Sequence, residues 1–505
     1  MKTYYTKEQS IKISQLSNKE FNKNSLCSRD YRILTTVNKN KVNISDFIVS
    51  KEVGKEIGSD NYMKKSKHRF LKTVNISENY LLNEARVEYC KPTNKVFPKK
   101  GDILIVKDGG GNGLGEVGYY NLDNENQYDS LSSGTIRVSL KQEKKFYILG
   151  LLKSKHFKTY IDLNTAQGST IRHSKQISLD YGITFPSKNN NKEPVKVENL
   201  ISLIVQNLID KEEQIKSKNE IIDSKIEKEL RENQKDGKIF SSTKYTKISD
   251  IKDKGRLDSD IYSEKVREIE FITENYIKGS SKISDNFKYC RGQNLQVSQI
   301  GESYYSNTPK DNFYRIFTNI EMQDNRTISG FRYIGNKNKL TTLPDNGIML
   351  AADGMIVGRC FFYDKMENTI TNIHPWVITP INDDLKVYKR VFLSLYLSHL
   401  KNIGYLAKIK DKANGGGLKK GHMDKWIKIP NFKDSKQEEI AKEYYNKVEK
   451  NIGLDFDNYL EKEKARNKEL GIFQLNMEIF SLKEKLESFI DKIVMDENID
   501  INFDY

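Results

Sequence analysis

The residues to consider first are those whose types and spacing could bind phosphate or a catalytic metal. The glycine-rich run at residues 109–115 has the small side chains of a phosphate-binding loop. It lacks the Gly-Lys-Ser/Thr ending with which such a loop holds phosphate and magnesium. Asp345 and Asp353 are candidate carboxylates of a nuclease, but Asp353 follows an apolar run and precedes a glycine, as Asp108 does. That pattern favours a turn in which the aspartate bonds to the backbone.

The other reactive residue types show no catalytic spacing. An amino-methyltransferase grips its flipped base with an Asn/Asp-Pro-Pro-aromatic loop, and no two of the nine prolines are adjacent. The four cysteines include no C-x-x-C pair, and the six histidines include no H-E-x-x-H pattern. The sequence therefore predicts a chain that is not an enzyme and that holds no metal or cofactor of its own.

Cations suited to DNA are present in the regions between the helical segments. Arginine and lysine contact phosphates and guanine edges. The candidates are Arg69, Arg137, Arg172, Lys175, Arg315, Arg326, Arg332, Arg359, Lys419 and Lys420. Arg172 and the pair Lys419-Lys420 each follow a small-residue loop, which suits a phosphate contact. For any single residue a solvated surface charge is the alternative, and Arg69 and Arg315 could equally pair with a buried carboxylate.

The distribution of charge also favours a polyanionic partner. The 505 residues carry 84 Lys+Arg and 69 Asp+Glu, a net charge of +15. Residues 195–236 and 437–505 are net −2 and −7, which leaves +24 on the other 394 residues. Nucleic acid is favoured over a membrane surface because no basic amphipathic helix is present. A generally lysine-rich proteome is the alternative explanation of this charge.

Localisation is predicted from two absences. No run of about 18 apolar residues is present to span a membrane, and the first eight residues contain no apolar core of a secretory signal. We expect a soluble, cytoplasmic protein.

The two acidic segments have the periodicity of amphipathic helices. Apolar residues recur at helical or heptad spacing and must be buried against another surface. The stripe residues expected to pack are Ile201, Ile204, Leu208 and Ile215 in the first segment and Leu475, Leu482, Leu486 and Phe489 in the second. We expect the two stripes to pack against each other, and the alternative is that each packs on its own domain.

Five phrases recur in the same order before each helical segment, which indicates an internal duplication. The matched pairs are residues 44–46 with 248–250, 68–76 with 314–320, 101–109 with 346–354, 165–170 with 412–417, and 183–186 with 427–430. Gly113 and Gly358 are matched at the same offset as the third pair. The apolar runs that end in Asp-Gly turns predict units that are mainly β.

These motifs resemble a known family. The Gly-Asp-Ile-Leu…Asp-Gly strand and turn, the Ala-x-Gly loop before Ile-x-Ile-Pro, and the helix that opens with Gln437-Glu438-Glu439-Ile440-Ala441 are similar to the DNA-specificity subunit of type I restriction–modification systems. The resemblance implies two target-recognition domains that each read one half of a bipartite DNA site. It also implies two antiparallel helices that separate these domains and dock methyltransferase subunits.

The sequence thus predicts an α+β fold with two duplicated, β-rich target-recognition domains separated by two long antiparallel coiled-coil helices. The predicted boundaries are 1–191 and 237–433 for the recognition domains, 192–236 for a central helix and 434–505 for distal helices. Expected partners are double-stranded DNA, two DNA adenine methyltransferase subunits that would bind S-adenosylmethionine, and a restriction or translocase subunit, with no membrane.

Two alternatives remain at this stage. One is a coiled-coil scaffold whose duplicated β domains bind protein or glycan, and the other is an enzyme subunit such as a nuclease. The bases recognised are not predicted by any pattern in the sequence.

Overall fold

The computed structural model describes residues 34–92, 96–110, 113–122, 128–165, 169–241, 246–412 and 416–503. Parts of three predicted features lie outside the described residues: positions 111–112 of the glycine-rich run, and positions 166–168 and 413–415 of the two small-residue loops. The first eight residues, used above to predict the absence of a secretory signal, also lie outside.

The described residues form two compact units. The first unit is built from the chain up to residue 213 together with residues 450–467 and 478–505, and the second from residues 214–449 and 468–477. Helical content is 40% and strand content 20%, so the predicted mixture of helix and strand is confirmed. In the part of the chain that the structure describes, no helix is long and apolar enough to cross a membrane.

The described residues of the first unit form twelve strands and the helices that follow them. The strands are β1 (Lys41–Asn43), β2 (Ile48–Val53), β3 (Tyr62–Met63), β4 (His68–Leu71), β5 (Glu88–Cys90), β6 (Ile103–Val106), β7 (Asp108–Gly109), β8 (Val117–Tyr119), β9 (Tyr128–Leu131), β10 (Thr135–Leu140), β11 (Arg172–His173) and β12 (Gly182–Thr184). The helices are α1 (Lys145–Lys153), α2 (Lys155–Asn164) and α3 (Pro194–Glu232), and α3 continues into the second unit.

Ten strands are formed by the part of the second unit that the structure describes. They are β13 (Ser280–Lys282), β14 (Phe287–Arg291), β15 (Ser303–Ser306), β16 (Tyr314–Ile316), β17 (Arg332–Asn336), β18 (Gly347–Ala351), β19 (Cys360–Tyr363), β20 (Thr369–Ile370), β21 (Pro375–Pro380) and β22 (Lys428–Pro430). The remaining helices are α4 (Ile248–Lys254), α5 (Glu264–Glu274), α6 (Val297–Ile300), α7 (Val387–Asn402), α8 (Tyr405–Ile409), α9 (Lys420–Trp426), α10 (Asp434–Tyr444), α11 (Tyr459–Glu469) and α12 (Ile472–Val494). Most of α11 and α12 belongs to the first unit.

The strand orders of the two units correspond. The first unit has sheets β2-β10-β6-β8 and β3-β5-β4-β9 and the pair β1-β12, and the second has β14-β21-β18-β19, β15-β17-β16-β20 and β13-β22. In the second sheet of each unit one pairing is parallel, β4 with β9 and β16 with β20, and the other pairings are antiparallel.

Burial explains why β6 and β18 are continuous apolar runs. All four residues of β6 and all five of β18 are buried, as expected for strands covered on both faces. On one face of β6, Leu104 and Val106 pack in a core cluster with Leu71 and Leu131 of the second sheet. Helix α1 contacts β8, and α7 contacts β18 and β19, so a helix covers each first sheet.

Helix α3 buries its apolar stripe along its length. All eight stripe residues named from the sequence are at most 7% exposed. In the first unit, a Cβ added to Gly150 of α1 would lie 3.0 Å from Val205, 3.3 Å from Ile201 and 3.8 Å from Leu486. Gly150 of α1 therefore lies against both α3 and α12 in this unit. Direct packing of the two stripes against each other stays a prediction.

A buried polar cluster accompanies this packing in the first unit. Lys211 of α3 has no exposed side-chain surface, and its Nζ lies 2.6 Å from a carboxylate oxygen of Glu478 and 2.6 Å from Oδ1 of Asn467. Asn467 in turn donates to Asp210 at 2.7 Å. Burial lowers the pKa of Lys211, although the nearby carboxylates oppose that shift. Because a buried charge without a partner is strongly destabilising, this cluster fixes how α3 meets α11 and α12.

Hydrogen-bond register corrects three of the sequence matches. The counterpart of residues 44–46, which follow β1, is residues 283–285 after β13, whereas residues 248–250 open α4 instead. Gly358 corresponds to Gly115 rather than Gly113, since each donates its N–H to the last residue of β6 or β18. Both glycines have positive φ, +76° and +90°.

The third correction concerns the Ile-Pro phrases. In β12, Thr184 pairs with Lys41, and in β22 the equivalent pairing is Pro430 with Ser280. Ile183 therefore corresponds to Ile429, two residues later than the sequence match. Loops of different length change the offset between the units, and a constant spacing cannot detect such changes.

Two glycines that the sequence comparison missed have equivalent places. Gly54 follows β2 and Gly292 follows β14. A Cβ on Gly54 would lie 2.0 Å from the carbonyl oxygen of Ser132, and one on Gly292 would lie 2.2 Å from that of Asn372. Each unit thus requires glycine where its first sheet passes close to the backbone that follows the parallel strand of the second sheet.

We expect Gly292→Ala to destabilise the second unit by about 1–3 kcal/mol or more, because the added methyl group overlaps backbone that cannot move freely. The chain has two tryptophans, Trp376 and Trp426, and both lie in the second unit. Urea unfolding followed by tryptophan fluorescence therefore measures this unit. Gly421→Ala is the control because nothing lies within 4 Å of its Cβ. Equal stability of Gly292→Ala and the wild type would contradict the close approach.

Candidate nucleic-acid interface

A turn and a loop cross in each unit, and we call this arrangement the turn–loop crossing. In the first unit it comprises residues 107–110 and 172–175, and in the second unit residues 352–355 and 416–420. Ser174 donates its N–H to the Lys107 carbonyl at 2.7 Å, and Leu418 donates to the Ala352 carbonyl at 2.8 Å. The glycine-rich run of the first unit therefore has the role of a turn that pairs with a second loop.

The hydrogen-bond register identifies which cations of the two crossings correspond. Because Ser174 and Leu418 make the same bond, the residues that follow them, Lys175 and Lys419, are equivalent. Arg172 is not the counterpart of Lys419. Its side chain is 12% exposed and its Nη1 lies 2.7 Å from Asp162. Lys175 and Lys419 are both exposed.

An aspartate beside basic side chains marks each crossing. Asp108 contacts Lys107 and the Nδ1 atom of His173, the latter at 2.9 Å. Asp353 contacts Arg291 at 3.2 Å and the Nδ1 atom of His374 at 3.4 Å. The turn position of both aspartates is as expected from the sequence, but within the described part of the chain their side chains contact basic side chains and not the backbone. Among the described residues, no group of three or more His, Cys, Asp or Glu side chains is arranged to hold a metal ion.

Aromatic rings support the cations of the second crossing. The guanidinium carbon of Arg291 lies 4.0 Å from the centre of the Trp376 ring, and Nζ of Lys420 lies 5.7 Å from that of Tyr289. Trp376 donates its indole N–H to the Leu418 carbonyl at 2.7 Å, which ties the ring to the loop. Lys419 remains 71% exposed although its Nζ lies 2.5 Å from Asp411.

Four of the ten predicted DNA-contacting cations are buried, which corrects their assignment. Arg69 bonds Asp129 through two 2.6 Å contacts and Glu84 at 2.7 Å. It therefore pairs with a buried carboxylate, which was the structural role considered for it from the sequence. Arg359 makes two bonds to Asp324 at 2.8 and 2.9 Å. The buried four are Arg69, Arg137, Arg326 and Arg359. Their guanidinium groups are used inside the units, where DNA has no access.

The buried Arg137 serves the first sheet of its unit. Its Nη1 donates to the Phe97 carbonyl at 3.3 Å and lies 3.5 Å from Asp102, and its Nη2 donates to Ser50 at 3.2 Å. The arginine thereby ties β10 to neighbouring segments of the same unit.

Arg326 belongs to a cluster that binds the second half of α3. Its Nη2 lies 2.6 Å from Asp223, and Asp223 also lies 3.0 Å from Nδ1 of the buried His399. Nε2 of His399 lies 3.3 Å from Glu227, one helical turn further along α3. Burial alone would lower the pKa of His399, but Asp223 and Glu227 outweigh it and raise that pKa above 6.5.

The carboxylates of this cluster shift in the opposite direction. Burial would raise the pKa of Asp223, but His399 and Arg326 lower it below 3.8. The contact with His399 and the charge of Arg231 lower the pKa of Glu227 to about 2, against the effect of burial. The cluster is therefore charged on both sides near neutral pH.

Five of the six remaining predicted cations are exposed, and the exception is the partly buried Arg172. Arg315 of β16 and Arg332 of β17 lie on adjacent strands of the second sheet, and both are exposed. Arg315 lies 5.4 Å from the centre of the Phe331 ring, and Nε of Arg332 lies 2.8 Å from Glu321. The structure thus brings Lys419 and Lys420 together at one crossing and places Arg315 and Arg332 on a separate sheet. DNA contact by the exposed residues stays a prediction.

A lysine cluster in the first unit is not among the cations predicted from the sequence. Lys64, Lys65 and Lys67 connect β3 to β4 and are exposed. Within the described residues, no carboxylate lies within ion-pair distance of any of the three. Next to them, the His68 ring stacks on the half-exposed Tyr128 ring at 5.0 Å. The run Lys-Lys-Ser-Lys-His-Arg at residues 64–69 was the available signal.

Comparisons with known proteins give structural similarity only. No family model matches the sequence, and no curated protein matches it. The chain is similar to the crystal structure of the S subunit of a type I restriction–modification system from M. genitalium, with 14% identity and a TM-score of 0.38 over 93% of this chain and 100% of that chain.

Two further structures are similar. One is described as the structural basis of complex assembly and conformational transition of the type I R-M system (12% identity, TM-score 0.27, covering 92% of this chain and 99% of that chain). The other is the HsdS subunit from Thermoanaerobacter tengcongensis (12%, 0.25, 90% and 96%). These structures come from the kind of system that the sequence motifs resemble.

The His399 cluster predicts a pH optimum for the second unit. Stabilisation by the raised pKa of His399 is complete below pH 6.5 and is lost as the pH rises through the folded-state value. Stabilisation by Asp223 and Glu227 is present above about pH 4.5, the higher of the two ordinary values, and is lost as the pH falls. Urea unfolding by tryptophan fluorescence should therefore show the greatest free energy of unfolding between these limits.

We expect His399→Gln to reduce the loss of unfolding free energy as the pH rises above this range. His156→Gln is the matched control, because His156 is a buried histidine of the first unit, which contains neither tryptophan. If the free energy of unfolding of His399→Gln falls with rising pH as steeply as that of the wild type, another titrating group causes the fall.

Proposed function

We propose that this chain is a DNA-specificity subunit of a type I restriction–modification complex. Each unit contacts one half of a bipartite site, and the chain directs partner subunits that carry out the chemistry. The single observation that carries the proposal is the turn–loop crossing, which occurs in both units on the same strand order and carries an exposed lysine in each. Two equivalent reading bodies in one chain suit a target of two parts.

Internal duplication is part of this proposal. It is supported by the three matched sets of strands, by the parallel pairing in each second sheet and by the equivalent glycines, Gly54 and Gly292. Duplication explains these shared features more simply than independent origin of the two units does, because each feature depends on contacts between residues far apart in sequence. The recognition domains are proposed at 1–191 and 237–433, with helical modules at 192–236 and 434–505.

DNA as the ligand is supported by charge and exposure. The regions outside the helical modules carry a net charge of +24, and their exposed cations include the 64–67 cluster, Lys175 and the pair Lys419-Lys420. A protein that neutralises phosphates gains affinity from the release of condensed counterions. Arg291 adds a further cation at the second crossing, where its guanidinium group is stacked on the Trp376 ring.

The chain itself is proposed to be non-catalytic. Two adenine methyltransferase subunits would supply the reaction and bind S-adenosylmethionine, and a restriction or translocase subunit would complete the complex. The apolar-stripe helices, net negative in charge, are proposed to dock the methyltransferase subunits. Incubation of the pure chain with DNA, magnesium and the methyl donor should give neither methylation nor cleavage, and robust turnover would overturn this part of the proposal.

We expect the affinity of the full chain for duplex DNA to fall steeply with salt. Replacing Lys64, Lys65 and Lys67 with glutamine should make the slope of log affinity against log salt shallower by about 2–3, since each phosphate contact contributes about 0.9. The control replaces Lys228, Lys464 and Lys468, exposed lysines of the acidic helices, and it changes the net charge equally. Equal effects of the two triple variants would mean that the 64–67 cluster makes no local contact.

Exchange of one unit tests the bipartite target. Residues 237–433 are replaced by the corresponding segment of a related protein, and the hybrid is expressed with its methyltransferase partner. Sequencing of methylated sites should reveal a target in which one half is new and the other is unchanged. If both halves change together, the units do not read DNA independently. If no methylated motif depends on this chain, the specificity function itself fails.

A further inference from the structure

The turn of the second crossing presents one apolar side chain to solvent. Met355 is 102% exposed, the largest value among the exposed large hydrophobic residues that the structure describes. Its neighbours in the turn are not similarly exposed, since Val357 is 6% exposed and Ile356 is partly buried. The methionine therefore projects alone from the tip.

The turn that carries Met355 is held at both ends. Gly358 donates its N–H to the Ala351 carbonyl at 2.8 Å, and Arg359 donates to the Ile356 carbonyl at 3.2 Å. Gly354 donates to the Gly416 carbonyl at 3.3 Å, which joins the turn to the crossing loop. The tip is thus positioned by backbone bonds on both sides, and the exposure of Met355 follows from a fixed geometry.

Basic side chains lie beside the turn that carries this apolar tip. Nζ of Lys410 lies 3.4 Å from the Gly354 carbonyl, and Arg291 and His374 both contact Asp353, two residues before Met355. Lys419 is exposed on the loop that crosses the turn. A single apolar side chain among cations is the arrangement with which DNA-bending proteins wedge apart stacked bases while they hold the phosphates. A protein-binding surface presents a broader apolar patch.

The first unit differs at this position. Its turn lies between Asp108 and Gly115, and the described residues at its ends are Gly109, Gly110 and Gly113. Leu114, the one large apolar residue there, is 7% exposed and faces inward. The first crossing therefore presents no apolar side chain from the residues that the structure describes.

We propose that Met355 inserts between adjacent base pairs of the half-site contacted by the second unit and unstacks them. The proposal rests on the proposed DNA-specificity function and adds a mechanism of indirect readout to it. Deformation at one step selects sequences that unstack easily, such as pyrimidine–purine steps, without hydrogen bonds to their bases. The inserted side chain also predicts a bend of about 20–90° confined to one half of the site.

The test uses the full chain and a duplex that carries the target found by sequencing methylated sites. 2-Aminopurine is placed at successive positions of the duplex, because its fluorescence rises when it is unstacked. We expect the wild type to raise fluorescence at one or two neighbouring positions in a single half-site. Met355→Ala should remove most of this rise and lower the affinity by less than about tenfold, because the phosphate contacts remain.

Two further variants separate insertion from other effects. Met355→Leu keeps an apolar side chain of similar volume and should restore the fluorescence rise. Ile239→Ala removes another highly exposed apolar residue, 87% exposed and outside the turn, and should leave the rise unchanged. Far-ultraviolet circular dichroism and tryptophan fluorescence verify that each variant is folded.

The possible results are distinguishable. If the wild type binds its site but no position responds, or if Met355→Ala responds fully, insertion is wrong and the DNA-specificity function stands. If Met355→Ala keeps the DNA signal but loses the methyltransferase partner, the tip is a protein contact and insertion is likewise overturned. If the wild type shows no affinity for the duplex, the proposed function fails and insertion fails with it.

Discussion

The fold of both units depends on the burial of helix α3. Its 39 residues present an apolar stripe, and each unit covers part of that stripe with its own elements. Burial of the stripe also removes charged neighbours from water, and these must find partners because an unpaired buried charge costs several kcal/mol. Lys211 meets Glu478 and Asn467 in the first unit, and Asp223 meets Arg326 and His399 in the second. The apolar stripe supplies the buried hydrophobic surface, and the charged pairs determine how α3 is positioned against the neighbouring helices.

Because each unit covers part of the stripe, α3 packs within the units and does not form a free coiled coil. In the first unit, α1 approaches α3 through Gly150, which leaves room for Val205 and Ile201. In the second unit, Glu443 of α10 holds Lys218 and Lys225 of α3 at 3.1 and 3.0 Å. Each unit thus includes a segment of α3 in its own core.

Among the candidate DNA-contacting cations, the four buried residues are all arginines and the lysines are all exposed. Guanidinium groups form two parallel bonds to a carboxylate and are less strongly hydrated than ammonium groups, so arginine is the cation suited to burial. Arg69 and Arg359 bind Asp129 and Asp324 in this way. Lysines at 64–67 and at 419–420 remain on the surface, where mobile point charges suit contacts with phosphates. Arg291 is intermediate, because an aromatic ring and not a buried pocket holds it.

The sequence by itself determined the local elements of this protein. Apolar runs that end in Asp-Gly located β6 and β18 with their turns, and periodicity located the stripes of α3 and α12, because these patterns are set by neighbouring residues. Tertiary structure alone decided which positions of the two units correspond, since Gly115 and Gly358, or Lys175 and Lys419, are matched by hydrogen bonds between separate segments and loops of unequal length shift the spacing. It also decided which cations are free for a ligand. The burial of Arg326 against Asp223 depends on residues more than 100 positions apart, and no local pattern records such a pairing.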